Sequence, residues 1–361
     1  MKALKSLAVL ALTAALAVSL AACNGGGQTA SDDIIQQTAG IPADEVLFTL
    51  DGQEITAEEY LYWAAYSADY LVNYYLGSVD NLDWSDESTL SFVRTNALDA
   101  VSLYRQAQLY AGELGITLTE EEQAALDADI QETIDTLGSE EAYALRLQQS
   151  AISEEGFRDL LTRFYLYSAL IDRLYGPEGT QPLTEADLQS YIDENGIYRA
   201  KHILLLTMDM TTGEPLDDET VAAKKALADE LLAQLRESEN PLTLFDQLMN
   251  EYSEDTGLEA NPDGYTTQVG QMVSAFEDTA LALEVGEISE VVESEYGYHI
   301  ILRLSVDPED YRTTLASARL DDTLYQRVDG QTVEYTDAYD SLDLGNFYTA
   351  LTAFRESVSE G

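Results

Sequence analysis

The chain has 361 residues and a formal net charge of −49 at pH 7, from 18 basic and 67 acidic residues, and 45% of its residues are hydrophobic. This length allows two or three domains with more than one buried core, and the ordinary apolar content excludes a disordered protein. The negative charge excludes nucleic acid and anionic lipid surfaces as partners, because both would repel the chain. A solvated acidic surface is the first explanation for the charge, and attraction of basic proteins or divalent cations is the second.

The N-terminal segment has the pattern of a cleaved targeting signal. Lys2 and Lys5 precede an apolar run over residues 7–20, which is too short to span a membrane but has the length of a secretory signal. The signal is predicted to cover residues 1–22 and ends in Leu-Ala-Ala, followed by Cys23. This tetrapeptide resembles a bacterial lipobox, in which the cysteine is lipidated and becomes the first residue of the mature protein. A cysteine that follows a secretory signal by chance is the weaker alternative.

Cys23 is the only cysteine of the chain. An intramolecular disulfide and a thiolate metal site are therefore excluded. Residues 23–45 begin with a polar, glycine-rich stretch and are predicted to be a flexible tether from the membrane.

Residues 46–195 predict a mainly helical domain that opens with a hairpin. Asp51 and Gly52 give residues 46–55 a hairpin turn signal. Thr56 and Glu59 have the spacing of a capping box at the start of a long helix. Further helices are predicted at 88–114, 120–137, 139–149, 154–175 and 184–194.

The first long helix carries an aromatic stripe at three- and four-residue spacing, formed by Tyr60, Trp63, Tyr66, Tyr70 and Tyr74. The buried face of an amphipathic helix is the preferred explanation for most of these positions. A surface that binds other polypeptides stays open as the alternative, because tyrosine and tryptophan combine apolar area with a polar tip.

Residues 196–307 change to a pattern of alternating strands and helices, which predicts a compact α+β unit. Residues 308–361 predict a helix at 312–327, a strand at 332–336 and a helix at 345–357, and we expect this segment to pack on the N-terminal domain. Within the α+β unit, strands are predicted at 199–206, 264–269, 288–293 and 298–305, and helices at 218–237, 242–251 and 273–283.

The chain has only two histidines, and each lies in a strand-like apolar run: His202 in RAKHILLL and His299 in YGYHIILRL. Histidine is a poor residue for packing alone in the middle of a central strand, so the pair indicates a polar site built into a sheet. Two unrelated core histidines, each with its own hydrogen bond, are the alternative.

Residues 199–305 resemble a parvulin-type peptidyl-prolyl isomerase domain over its full length. The resemblance is carried by RAKHILLL, by FDQLMNEYSED at 245–255 and by GQMVSAFEDTALALEVGEISEVVESEYGYHIILRL at 270–304. With the lipobox and the helical region, the chain resembles PrsA-type foldase lipoproteins, and residues 46–175 are more loosely similar to the chaperone module of SurA-like proteins. The implied fold is α+β, with a four-stranded antiparallel sheet and surrounding helices placed after a mainly helical domain.

The resemblance implies a catalytic site without a cofactor or a metal ion, since rotation about an Xaa-Pro bond breaks no covalent bond. Met272 and Phe276 are implied to form an apolar cup for the proline ring, although ordinary core packing is the alternative. Asp255 falls where the family carries an aspartate or cysteine beside the rotating amide. The acidic segment at residues 78–88 lacks the glycine and spacing of a calcium loop, so at most it predicts loose surface binding of calcium.

The same resemblance assigns His202 and His299 to one hydrogen-bond network that sets the polarity near Asp255. Ser294 matches a hydroxyl position in that network. Thr267 stands where the family carries a phenylalanine that walls the proline pocket, so a shallower pocket and low isomerase activity are expected. Tyr265 is a candidate to compensate in part for the missing ring.

The loop at residues 207–219 bears on specificity. Phosphate-directed members of the family carry a basic cluster there, whereas this loop has five acidic residues and no lysine or arginine. A phosphorylated residue before proline would be repelled, so phosphate-specific isomerisation is not expected.

These features predict a membrane-anchored foldase on the extracytoplasmic face of a bacterial cell membrane, held by lipid at Cys23. Its partners would be unfolded or secreted polypeptides with Xaa-Pro bonds and no nucleic acid, and an oligomer stays open. A holdase chaperone that keeps the parvulin fold but has weak or no catalysis is the alternative, and Thr267 favours it. A solute-binding lipoprotein fits poorly, because the pattern lacks two α/β lobes.

Overall fold

The computed structural model describes residues 33–359. The predicted signal at 1–22, the lipidation site Cys23 and the first part of the predicted tether lie outside the described residues. The chain divides into two compact units, the first with the residues up to Pro182 and from Ala316 onward, and the second with Leu183–Leu315. Within residues 33–359 no helix has the length and apolar character needed to cross a membrane.

The prediction of a flexible tether is wrong from residue 34 onward. Ile34–Ala39 forms an α-helix that Asp33 caps by accepting a hydrogen bond from the Gln36 backbone N–H at 2.8 Å. Ile34 and Ile35 are buried in the core of the first unit. Two adjacent isoleucines bury enough apolar surface to fold a short polar stretch, which composition alone does not indicate.

The first unit contains the predicted hairpin. Strands Val46–Leu50 and Gln53–Thr56 are joined by Asp51 at φ 49° and Gly52 at φ 78°, the two left-handed positions that a tight hairpin turn requires. The strand Val333–Tyr335 from the C-terminal segment pairs with the other edge of Val46–Leu50 in antiparallel register. The C-terminal segment therefore completes the small sheet of the first unit.

The helices of the first unit lie close to their predicted positions, and Thr119 with Glu122 forms the full capping box. Thr56 accepts a hydrogen bond from the Glu59 N–H, but the Glu59 side chain turns to Arg105 and Arg163 and does not close a second box. Helices lie at Ala57–Leu71, Glu87–Glu113, Glu120–Leu137, Glu140–Gln149, Glu154–Tyr175, Arg312–Gly330, Asp337–Ser341 and Leu344–Ser359, with a π-helix at Val72–Leu76 and a 3₁₀ turn at Val79–Asn81.

The aromatic stripe is partly core and partly surface. Tyr60 and Trp63 are buried, and Trp63 stacks on Tyr104 with ring centroids 5.4 Å apart. Tyr74 lies in the π-helix, and its side chain is 74% exposed. The core interpretation therefore holds for the start of the stripe and fails at its end, where the helix leaves the core.

The second unit contains the predicted α+β unit, and it also includes residues 183–195, which were predicted to belong to the helical domain, and residues 308–315 of the C-terminal segment. Its four strands form an antiparallel sheet in the order Tyr265–Gln268, Ile197–Leu206, Gly297–Leu304, Val292–Glu293. Its helices are Glu185–Glu194, Asp218–Glu237, Pro241–Tyr252 and Ser274–Ala282, and a 3₁₀ turn covers Pro308–Tyr311.

The predicted strand at 288–293 is shorter than expected, because side-chain bonding replaces part of its ladder. Ser289 donates its backbone N–H to the Ile301 carbonyl, and its Oγ accepts the Ile301 N–H at 2.9 Å. Only Val292–Glu293 is a strand, with an isolated bridge between Ile288 and Leu302.

Both faces of this sheet are covered, which explains the nearly continuous apolar run of its central strands. Ile203 and Ile300 face the core with Phe245. The opposite face carries Ala200 and Ile301 in a second core with helix Ser274–Ala282. Side chains alternate along a strand, so residues 202 and 299 share this second face with residues 200 and 301.

Candidate functional site

The two histidines lie side by side on neighbouring strands. His202 is opposite Ile301 and His299 is opposite Leu204, so the rings are diagonal neighbours on one face of the sheet. Their Nδ1 atoms are 2.9 Å apart, and their ring centroids are 5.1 Å apart at an interplanar angle of 21°. Both rings therefore belong to one hydrogen-bond network in the structure.

Asp255 lies at one end of this pair. Its Oδ2 is 3.0 Å from His202 Nε2, and its Oδ1 accepts the backbone N–H of Gly257 at 2.9 Å. The segment is tied to the sheet because the Glu254 backbone N–H donates to the Leu204 carbonyl oxygen at 2.8 Å. The backbone therefore places the carboxylate against the histidine strand.

Ser294 lies at the other end of the pair. Its Oγ is 2.6 Å from His299 Nε2 and accepts the backbone N–H of Tyr296 at 3.1 Å. The predicted polar residues thus form one hydrogen-bonded chain, in the order Ser294, His299, His202 and Asp255.

Two of the four residues in this hydrogen-bonded chain, Asp255 and His299, have displaced pKa values. Burial alone would raise the pKa of Asp255, but hydrogen bonds from His202, Tyr265 and the Gly257 N–H outweigh burial and hold that pKa below its ordinary value. Burial, reinforced by repulsion from a charged His202, lowers the pKa of His299 to about 3. Asp255 is therefore anionic and His299 neutral at neutral pH.

These charges assign the donors when both imidazoles are neutral. The Asp255 carboxylate only accepts, so His202 donates from Nε2 and accepts at Nδ1. His299 then donates from Nδ1 to His202. Its Nε2 accepts a hydrogen bond from the Ser294 hydroxyl. Every ring nitrogen of the two histidines is therefore hydrogen-bonded. Each residue in the series from Ser294 to His202 donates to the next one, and the series ends at the Asp255 carboxylate.

One of the two predicted cup residues, Phe276, lies beside the histidines. The Phe276 ring meets the His202 ring edge to face, with centroids 5.1 Å apart, and only 3% of Phe276 is exposed. Phe276 belongs to the core cluster with Ile301, and Met272 is half-buried at its margin. Thr267 is half-buried on strand Tyr265–Gln268, opposite Tyr198.

One member of the site carries a bond that sequence reasoning missed. The Tyr265 hydroxyl donates to Asp255 Oδ2 at 2.5 Å, and the Tyr265 ring meets the His202 ring edge to face at 6.0 Å. The sequence suggested only a possible ring near the pocket. A bond between residues ten positions apart across an irregular loop leaves no periodic signal.

Two acidic residues of the loop at 207–219 accept hydrogen bonds from nearby backbone N–H groups. Asp209 accepts the N–H groups of Thr211 and Thr212, and Asp217 caps the helix Asp218–Glu237 through Thr220. Within the described part of the chain, no group of three or more His, Cys, Asp or Glu side chains is arranged to hold a metal ion.

Comparison with known proteins agrees with this geometry. Residues 202–305 match the family described as Rotamase, the PPIC-type PPIase domain. The foldase protein PrsA of Caldanaerobacter subterraneus subsp. tengcongensis is 27% identical over 318 residues, which cover 84% of this chain and 85% of that protein. The foldase protein PrsA of Oceanobacillus iheyensis is 31% identical over 193 residues, which cover 52% of this chain and 55% of that protein.

A chaperone is also similar to part of the chain. The chaperone SurA of Chromohalobacter salexigens is 35% identical over 131 residues, which cover 36% of this chain and 27% of that protein. The family match begins at His202 and includes His299, the Asp255 segment and the helix of Phe276. The second unit therefore carries a parvulin-type (PpiC) peptidyl-prolyl cis–trans isomerase domain, in a chain that is similar to the PrsA foldases.

Proposed function

We propose that this protein is a membrane-anchored extracytoplasmic foldase that isomerises Xaa-Pro bonds in secreted polypeptides. The observation that carries the proposal is the hydrogen-bonded chain from Ser294 to Asp255, which ends in a largely buried carboxylate and whose His202 ring is met edge to face by the Phe276 ring. A site of this kind combines an apolar surface for a proline ring with one oriented negative charge.

Catalysis of rotation about an Xaa-Pro bond requires selective binding of the twisted amide. Amide resonance sets a barrier of about 18–20 kcal/mol to rotation, and a site that binds the twisted form more tightly than either planar form lowers that barrier. The planar amide carries more negative charge on its oxygen than the twisted amide does. An anionic Asp255 beside that oxygen destabilises the planar forms, while Met272 and Phe276 hold the proline ring in a site with little water.

Exchange spectroscopy of a short Xaa-Pro peptide tests the isomerase proposal. The full chain is expected to speed cis–trans exchange, and Met272→Ala is expected to weaken that effect because the cup loses apolar surface. Met210→Ala changes an exposed methionine in the loop at 207–219 and serves as the matched control. A protein that leaves the exchange rate unchanged would contradict the proposal.

The same assay tests specificity. A peptide with a phosphorylated residue before proline is expected to be a poorer substrate than its unmodified form, because the loop at 207–219 is acidic. Faster turnover of the phosphorylated peptide would overturn this part of the proposal.

Membrane attachment rests on the lipobox-like residues 20–23. Metabolic labelling with a radioactive fatty acid is expected to mark the full chain and not the variant Cys23→Ala, which should also leave the membrane fraction. Equal membrane association of both proteins would contradict lipid anchoring at this position.

A holdase function is favoured by exposed aromatic side chains in the first unit. Tyr74 and Tyr75 are 74% and 70% exposed, and the Tyr70 ring lies 4.8 Å from the Tyr74 ring and 5.8 Å from the Tyr75 ring. Large exposed rings that cluster are typical of protein-binding surfaces. Binding of unfolded chains at this surface would need no catalysis.

Suppression of client aggregation tests the holdase. The double variant Tyr74→Ser and Tyr75→Ser is expected to suppress aggregation less than the unmutated chain. Val285→Ser removes an exposed apolar side chain from the second unit and serves as the control. Equal suppression by the double variant would show that clients bind elsewhere, and no suppression by any of the proteins would refute the holdase.

A further inference from the structure

Tyr265 lies on the same face of the sheet as the histidine pair. It is opposite Ala200 on the neighbouring strand, and Ala200 and His202 project to one face because they are two residues apart. Tyr265 and Thr267 are also two residues apart, so both face this side. Tyr265 and residue 267 are therefore successive positions on this face of the strand. Related domains are expected to carry a phenylalanine at position 267.

The Tyr265 hydroxyl fixes one oxygen of the carboxylate. It donates to Asp255 Oδ2 at 2.5 Å, and His202 Nε2 approaches the same oxygen at 3.0 Å. Gly257 holds the other oxygen through its N–H at 2.9 Å. Donors to an ionised acceptor form the stronger class of hydrogen bond, so the carboxylate cannot rotate without breaking strong contacts.

Gly257 makes room for this hydroxyl. A Cβ atom at residue 257 would overlap the Tyr265 hydroxyl oxygen. The backbone of Gly257 is not left-handed, so the missing side chain serves the close approach of the hydroxyl and not an unusual backbone conformation.

We propose that Tyr265 is a positioning residue of the isomerase site: its hydroxyl orients the Asp255 carboxylate, and its ring supplies the aromatic wall that position 267 lacks. This inference rests on the proposed isomerase function. The titratable groups that face Asp255 are His202 from one strand and Tyr265 from another, with His299 behind His202. Burial raises the pKa of Tyr265, and so does the bond to Asp255, so the hydroxyl stays a neutral donor at physiological pH.

Tyr265→Phe tests the hydroxyl, because it keeps the ring. Loss of a donor to the anionic form raises the pKa of Asp255, so the carboxyl ¹³C titration of Asp255 is expected to move to higher pH. The acid limb of the kcat/KM profile should move in the same direction, with a fall of about tenfold in kcat/KM. Gly257→Ala should give the same two shifts although Tyr265 is retained, since it displaces the hydroxyl.

Tyr265→Leu tests the ring. It is expected to raise KM beyond the value of Tyr265→Phe, because the proline ring loses an aromatic neighbour. Adding Thr267→Phe to Tyr265→Leu should restore KM but leave the Asp255 titration displaced. A merely structural role for Tyr265 would not separate these two readouts.

Three results decide the matter. An unchanged Asp255 titration in both Tyr265→Phe and Gly257→Ala overturns the role of the hydroxyl. An unchanged KM in Tyr265→Leu overturns the role of the ring. If the unmutated protein shows no isomerase activity, the proposed function fails, whereas the titration of Asp255 still decides whether the hydroxyl orients the carboxylate.

Discussion

Each unit of this protein holds a largely buried carboxylate, and the two carboxylates have different partners. Glu59 in the first unit is bound by Arg163 at 2.7 Å and by Arg105, whose Nε lies 2.9 Å from the same oxygen. Asp255 in the second unit is bound by His202 and Tyr265. One acid is surrounded by permanent cations, the other by an imidazole and a phenol.

The difference separates a structural group from a tunable one. Arginine keeps its charge at every ordinary pH, and the ion pairs of Glu59 with Arg105 and Arg163 join three helices of the first unit. A neutral imidazole donates from one nitrogen and accepts at the other, so the polarity around Asp255 depends on which nitrogen of each histidine ring carries the proton. The buried charge of Glu59 therefore joins helices of the first unit, whereas we propose a chemical role for the charge of Asp255 in the second unit.

The largest expected effect lies at Glu59. Glu59→Ala leaves Arg163 buried without its anion, and we expect a loss of about 3–5 kcal/mol in the free energy of unfolding of the first unit. Both tryptophans of the chain, Trp63 and Trp84, lie in that unit, so urea denaturation followed by tryptophan fluorescence reports on the unfolding of that unit.

Asp127→Ala is the matched control, since its ion pair with Arg158 is exposed and should contribute at most about 1 kcal/mol. A loss at Glu59 as small as the loss at Asp127 would refute the structural role of the cluster.

Acid should weaken the second unit through His299. Its folded pKa of about 3 lies below the ordinary value of 6.5, so the unfolded chain takes up a proton first as the pH falls. The free energy of unfolding is therefore unaffected by this ring above about pH 6.5. It falls between pH 6.5 and 3, by up to about 1.4 kcal/mol per pH unit.

NMR titration checks this directly, because the chain has only two histidines. The His299 ring is expected to stay neutral at pH 5. Protonation of both rings near pH 6.5 would contradict the assigned hydrogen-bond directions.

Ser294→Ala should have a smaller effect. It removes the donor to His299 Nε2 and the acceptor for the Tyr296 N–H, which we expect to cost about 1 kcal/mol of stability. The ¹⁵N shift of His299 Nε2 should move as its hydrogen bond is lost. An unchanged ¹⁵N shift would show that the Ser294 hydroxyl does not bind His299.

Local sequence signals predicted most of the fold. Asp51-Gly52 marked the hairpin, and Thr119 with Glu122 marked a helix start, because turns and caps depend on residues close in sequence. The short helix at Ile34 was missed because its stability comes from burial against distant residues. The ladder at 288–291 was overestimated because a serine side chain takes the place of a backbone partner.

The candidate site was predictable only in part. The two histidines stand out as polar residues in apolar strands, and the resemblance located Asp255 and Ser294. The bond from Tyr265 to Asp255 was not predictable, since it depends on the path of an irregular loop and on the space left at Gly257.

Asp255→Asn tests the central claim most directly, because it keeps an acceptor oxygen for His202 and Tyr265 but removes the negative charge. In exchange spectra of an Xaa-Pro peptide, we expect the rate enhancement to fall at least about tenfold in this variant. Asp246→Asn, which alters an exposed acid paired with Lys201, should keep the full enhancement. Equal enhancement by Asp255→Asn and the unmutated protein would contradict the claim that the buried carboxylate drives isomerisation.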